Sequence, residues 1–210
     1  MLSPQLFCLI LNYSNVTAKD RDGNKANTSP VPGVYLGIGV GIVLSDHFSF
    51  QPSIVYVKRG FKQPGSSHIG WGNDFEAKVS YVELPVDILY SPGIGPGKLL
   101  LSAGPYIGYG TGGKWTTSTN VLIGDIMIDE KGDIAFQNDK SYGKDMNTYT
   151  YAKPWDYGAH FRIGYEILNQ YSLSFHIQQG IADLQPSWSD YKPESSIRNR
   201  SMGVTLSYSF

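Results

Sequence analysis

Val34-Tyr35-Leu36-Gly37-Ile38-Gly39-Val40-Gly41-Ile42-Val43-Leu44 is the stretch whose reading decides the fold. Every even position is aliphatic, and Gly37, Gly39 and Gly41 stand between them. Side chains of a strand alternate between faces, so one face is an unbroken aliphatic ribbon and the other is nearly bare. A soluble sandwich strand shows the same alternation with its apolar face turned inward. The two cases separate on where the other strands put their polar and charged residues, and that test favours a closed barrel with the apolar face outward, in lipid.

Working outward, seven more strands follow from alternation. They are Phe7 to Ser14 (the weakest), Phe48 to Lys58, Lys78 to Tyr90, Lys98 to Thr111, Tyr157 to Leu168, Tyr171 to Leu184 and Arg198 to Phe210. Ser45-Asp46-His47, the Gly/Pro-rich run 91–97 and Asn169-Gln170 read as tight turns. The stretches at about 15–33, 61–76, 112–154 and 185–197 are polar and turn-rich and read as long loops. Within 112–154, Val121–Asp129 and Asp133–Phe136 flank Glu130-Lys131-Gly132 as a possible protruding hairpin, which leaves a ten-stranded barrel open.

The connections therefore alternate long and short. An up-and-down barrel in an outer membrane has short periplasmic turns and long external loops, whereas a Greek-key sandwich has no reason to alternate. The mixed face carries Arg59, Glu83, Asp87, His160, Arg162, Glu166 and His176, an expected interior polar network in which opposite charges pair. The aliphatic ribbon spans ten residue rises, roughly 25 Å at a tilt near 40°, the height of an outer-membrane apolar band. Tyr56, Tyr90, Tyr109, Tyr157, Tyr171 and Tyr208 fall near strand ends, as an aromatic girdle does. The expected fold is all-β, an eight-stranded antiparallel up-and-down transmembrane β-barrel, with residues 1–210 as one domain.

Composition agrees. The 210 residues include 24 Gly and 15 Tyr with only 17% charged, which favours strands over helices. A formal net charge of −1 gives no signal for nucleic acid. No apolar run is long enough for a transmembrane helix, which says nothing about barrels. The single cysteine, Cys8, forms no intrachain disulfide and reads as a small buried or lipid-facing residue. Leu6 to Leu11 is apolar, but no Lys or Arg precedes it and no small-residue cleavage site follows, so it makes a poor signal peptide.

With these segments placed, the chain resembles the PorT-like outer-membrane β-barrel family of Bacteroidota. The likeness rests on Leu11-Asn12-Tyr13-Ser14-Asn15, Phe48-Ser49-Phe50-Gln51-Pro52, Tyr81-Val82-Glu83-Leu84-Pro85, Ala103-Gly104-Pro105-Tyr106 and the Tyr-Ser-Phe terminus, and covers nearly the whole chain. Val204, Leu206, Tyr208 and Phe210 resemble the C-terminal signal read by barrel-assembly machinery. The first strand departs from the family in lacking its usual glycines, and no export signal is recognisable. The resemblance implies an outer-membrane location and eight strands, and no single activity.

Chemical motifs are weak beside these patterns. Gly37-x-Gly39-x-Gly41 lacks the third glycine and following helix of a dinucleotide site, since position 42 is Ile42. His160 and His176, with Ser174 and Glu166 on the same face, would be the residues of an outer-membrane lipid hydrolase, but an inward site suits interior hydrogen bonding better. No third ligand with metal-site spacing accompanies the two histidines. Asp125, Asp129, Glu130 and Asp133 lack the EF-hand pattern and read as a solvated turn. The expectation is a non-enzymatic outer-membrane barrel of a Gram-negative bacterium, without cofactor, meeting lipid around its band and an unidentified partner through its external loops. A soluble lipocalin-like carrier and the lipid hydrolase are the alternatives. A small pore is disfavoured because eight strands leave little lumen.

Overall fold

The computed structural model describes residues 2–66, 69–123, 125–140 and 147–210. In chain order the strands are β1 (Leu2–Lys19), β2 (Ser29–Gly33), β3 (Tyr35–Val43), β4 (Phe48–Ser66), β5 (Asn73–Tyr90), β6 (Gly93–Ile94) and β7 (Gly97–Thr116). They continue with β8 (Val121–Ile123), β9 (Ile126–Ile128), β10 (Lys131–Phe136), β11 (Thr148–Ala152), β12 (Trp155–Ile167), β13 (Tyr171–Gly180) and β14 (Ser196–Ser209). The side chains of residues 2–10, Cys8 among them, lie outside the described residues.

Eight of these close a ring of antiparallel ladders: β1, β3, β4, β5, β7, β12, β13 and β14, with β14 returning to β1. Closure leaves no unpaired edge in lipid, where an unsatisfied backbone group is costly. The ten-stranded alternative is thereby excluded.

Outward alternation is visible in every wall strand for which side chains are described. Leu36, Ile38, Ile54, Leu84, Ile107, Phe161, Ile163, Leu173, Ile177 and Leu206 are exposed, while Gln51, Glu83, Ser102, His160, Ser174 and Gln178 between them are buried. This inverts the arrangement a soluble carrier needs and removes the lipocalin-like reading. Aromatic rings mark both margins of the band. Tyr109 meets Trp155 at 4.9 Å at the external margin, and Tyr208 meets Tyr171 at 5.2 Å and Phe210 at 4.8 Å at the periplasmic one.

Three expectations need correction. Residues 15–33, 61–76 and 112–154 contain much strand, because β1, β4, β5 and β7 run on beyond the membrane and β2 and β8–β11 lie in the connections. Out there the solvent reverses the code: the outer face becomes polar and the inner face apolar, so lipid-facing aliphatics no longer mark the strand. The expected hairpin also divides differently. Among the described residues β8 pairs only with β9, while β10 pairs antiparallel with β7 and parallel with β11, extending the wall. Finally, the turn after β12 is centred on Leu168 and Asn169, at φ 56° and 54°, closed by the Gln170 N–H donating to Ile167 O at 3.2 Å. Two consecutive left-handed residues are the hairpin geometry that follows strand twist.

Candidate functional site

The barrel interior is layered. At the periplasmic end Ser172, Ser207 and Ser209 point inward, with Ser174 and Thr205 above them. These small hydroxyl residues sit opposite one another because β13 and β14 pair in register there, Ser172 with Ser207 and Ser174 with Thr205. Next come the histidines. His160 Nδ1 lies 2.9 Å from Asp87 Oδ2, and the Ser102 hydroxyl donates to the same carboxylate at 3.3 Å. Arg162 donates from Nε to Ser102 Oγ at 3.2 Å and from Nη2 to Gln51 Oε1 at 2.5 Å. His176 Nδ1 is 3.0 Å from the Thr205 hydroxyl, and its ring leans on Tyr35 at 5.0 Å.

Above them Arg59 organises a cluster with almost no solvent contact. Its Nη2 is 2.7 Å from Glu83 Oε1 and donates to Gln178 Oε1 at 2.5 Å, while Nη1 donates to Asp156 Oδ2 at 3.2 Å. Gln178 Nε2 in turn donates to Glu83 Oε2 at 2.9 Å. Asp156 Oδ2 also accepts from the Tyr106 hydroxyl at 3.2 Å and from Asn199 Nδ2 at 2.9 Å. The guanidinium lies over the Tyr81 and Tyr106 rings, at 5.6 and 5.5 Å from their centroids. One cation thus faces two carboxylates; neutral donors serve Glu83 Oε2 and Asp156 Oδ2, while Asp156 Oδ1 and Arg59 Nε have no hydrogen-bond partner among the described residues.

The structure therefore brings Arg59 to Glu83, His160 to Asp87, and Arg162 to the Ser102 hydroxyl of the Asp87 group. It places Glu166 apart, at the periplasmic rim, 3.4 Å from Lys98. Sequence reasoning placed Tyr81, Tyr106 and Gln178 on the mixed face without joining them to the charged residues, and missed Asp156 and Asn199. The signal for the two missed residues was parity: Asp156 shares a face with Gly158 and His160 one residue before the expected strand, and Asn199 shares one with Ser201 inside its own.

On the external side the interior turns apolar. Phe61 stacks on Tyr151 at 6.0 Å and Phe75 on Trp115 at 6.1 Å, while Phe75 meets the tilted Tyr149 ring at 5.0 Å. Trp71 contacts the Trp115 and Tyr149 rings edge-on, each at 5.1 Å. The Trp115 indole donates to Asn147 O at 2.9 Å, and the Tyr149 hydroxyl donates to Ile69 O. Burial pushes the Tyr149 and Tyr151 hydroxyls to titrate above their ordinary range. Phe61, Phe75, Val79 and Trp115 are at most 1% exposed, so no water-sized gap adjoins them, and the external half of the barrel is a packed core.

Neither histidine contacts Ser174: Ser174 Oγ, His160 Nε2 and His176 Nε2 make no hydrogen bond among the described residues, and the hydroxyl that His176 meets is that of Thr205. No group of three metal-ligating side chains forms among them either. Val204, Leu206 and Tyr208 on β14, and Phe210 just beyond it, turn away from the interior.

A closed eight-strand ring with an apolar exterior, aromatic margins and a packed polar interior defines an outer-membrane β-barrel. The chain belongs to the outer membrane protein beta-barrel domain family, whose model matches residues 9–185. Among solved structures it is similar to Ail, the attachment invasion locus protein of Yersinia pestis, at 11% identity over 100% of both chains, with a TM-score of 0.43. It is also similar to the outer membrane protein OprG of Pseudomonas aeruginosa, at 9% identity over 100% of this chain and 95% of that one, with a TM-score of 0.46. Compared with the curated proteins, the sequence matches none. The protein resides in the outer membrane of a Gram-negative bacterium.

Proposed function

We propose that the protein is a non-enzymatic interaction barrel that engages its partner through the external surface. The observation that carries this is the contrast between interior and exterior. The external half of the lumen is filled by rings, while Leu122, Met127, Trp188 and Tyr191 on the external elaborations are 62–67% exposed. Large apolar side chains displayed in water mark contact sites for another molecule. A hydrolase is disfavoured because the His160–Asp87 pair faces inward and reaches no nucleophile.

The finer kinship with PorT-like proteins of Bacteroidota belongs to the same reading. Its motifs Tyr81-Val82-Glu83-Leu84-Pro85 and Ala103-Gly104-Pro105-Tyr106 supply Glu83 and Tyr106 to the Arg59 cluster. Lipid contacts the aliphatic band, and the column Val204, Leu206, Tyr208 and Phe210 is read as the contact for assembly machinery.

The test is a pair of measurements. Replacing residues 119–130 by a short Gly-Ser turn and Trp188 and Tyr191 by Ser should abolish capture of surface or extracellular partners by the reconstituted barrel. Wild-type barrels in vesicles should pass no small solutes. Solute flux at wild-type sequence, or partner capture indifferent to these replacements, contradicts the proposal.

A further inference from the structure

The external rim carries a cavity of about 460 Å³ that the reading above does not use. It lies where the end of β1, the following loop, the segment around Ile69, Lys140 and the start of β14 converge. Three lysines line it: Lys19, Lys25 and Lys140. Lys19 and Lys25 are directly opposed partners in an antiparallel bridge. Like charges placed so repel, and with Asp20 as the one carboxylate among the described lining residues the cavity keeps a net positive charge. None of the three lysine side chains has a hydrogen-bond or ion-pair partner among the described residues. Three other external cations are paired, Arg21 with Glu194, Lys78 with Glu76 and Lys114 with Asp133. The carboxylate of the cavity is Asp20, and it is already engaged, accepting from the Asn24 N–H at 2.8 Å and its amide at 3.1 Å. Lys140 is half-buried, and desolvation lowers its pKa, the condition an arriving anion relieves.

We propose that this cavity binds a saccharide bearing phosphate or sulfate groups, with Lys19, Lys25 and Lys140 holding the anionic groups above an apolar floor. The floor is Ala18, Ala26, Ile69 and Ile197, suited to the C–H face of a sugar ring, and the Asn24 amide stands beside it. No aromatic ring lines the cavity among the described residues, so a nucleobase has nothing to stack on. The volume is that of a small-ligand site. Lys19 stands six residues beyond Tyr13, an outward ring of the same strand, which puts the cavity roughly 15 Å further from the bilayer centre. That height favours a ligand from the external medium over a headgroup at the bilayer surface. This site deepens the interaction role proposed above and rests on it.

The experiment uses the refolded full chain in detergent micelles, its closure checked by retarded unfolding in cold SDS, and titrates a trisulfated disaccharide calorimetrically. A parallel arm measures association with phosphatidylcholine vesicles with and without a phosphorylated glycolipid. Binding that weakens with added salt, and falls about tenfold or more in K19A/K25A/K140A, is expected, since charge-assisted contacts carry it. K62A/K131A/K192A removes the same charge from exposed positions elsewhere and should bind as wild type. Binding of the free disaccharide identifies a soluble ligand, and binding only to glycolipid vesicles identifies a lipid-borne one. Both support the site. No binding in either arm, or equal losses in the two triple variants, overturns it. If the site fails while the 119–130 replacement still abolishes partner capture, the interaction role stands and only this ligand class is lost.

Discussion

Replacing Arg59 by Ala removes the one cation that faces two buried carboxylates, Glu83 at 2.7 Å and Asp156 at 3.2 Å. Both partners are fully buried, so water cannot take over the lost contacts. Breaking a buried pair by deleting one member costs about 3–5 kcal/mol, and here two carboxylates lose their cation, so R59A should fall at the upper end. Glu83→Gln keeps the shape and leaves Asp156 to neutralise Arg59, and should cost only about 1 kcal/mol. Arg59→Met combined with Glu83→Gln and Asp156→Asn removes all three charges and should recover part of the R59A loss. Urea unfolding of vesicle-inserted barrels, followed by tryptophan fluorescence and by heat-modifiable mobility, reads all three variants against wild type. An R59A barrel within about 1 kcal/mol of wild type would refute the reasoning, because it would mean that these charges are solvated or already neutral.

Trp115→Ala opens a cavity in the external core and should destabilise by about 3–5 kcal/mol, raising protease sensitivity of residues 112–154 first; unchanged unfolding and cleavage would contradict the packed core. A Cβ at Gly60 would lie 1.9 Å from the Ala77 carbonyl oxygen, so Gly60→Val should prevent closure, seen as loss of the heat-shifted band. Leu168 is exposed and left-handed at φ 56°, so Leu168→Asn should raise stability by up to about 1 kcal/mol, and a loss on urea unfolding would count against the turn geometry. The Asp74 carboxyl accepts from the Gly65 N–H and the Ser118 hydroxyl, which hold its pKa below the ordinary aspartate value. The ordering it gives that turn is complete above the ordinary value and lost as pH falls through the lower folded one; an NMR midpoint at or above the ordinary value would be inconsistent.

Much of the wall was legible because lipid imposes one rule on every strand. Leu36, Ile38, Phe161 and Leu173 are exposed where alternation put them, and the residues between them turn inward. The same rule hid the external half. There the outward residues are Lys62, Lys78 and Lys114, while Phe61, Ala77 and Trp115 point in, so the alternation continues with its meaning reversed. The interior charges were legible as types but not as partners. Arg59 and Glu83 were visible as inward residues, yet Asp156 sits 97 positions from Arg59 and meets it only through strand register. Glu166 has inward parity too, but its position at the last turns of β12 brings it to Lys98 at the rim.

The aromatic cap over the charged layer makes the barrel directional. Phe61, Phe75, Trp115, Tyr149 and Tyr151 come from strand extensions and a connection that all lie on the far side of the bilayer. Their rings can meet only after those segments have crossed, and once met they present an assembled knot to the lipid edge. Sliding back requires the rings to part and to enter water one by one, each at a cost of about 2–3 kcal/mol. At the periplasmic end the described lumen side chains are small hydroxyls with Leu89 and Leu100, and no aromatic ring is among them. The cap thus acts as a latch: insertion proceeds through a soft end, and retraction is opposed by a hard one.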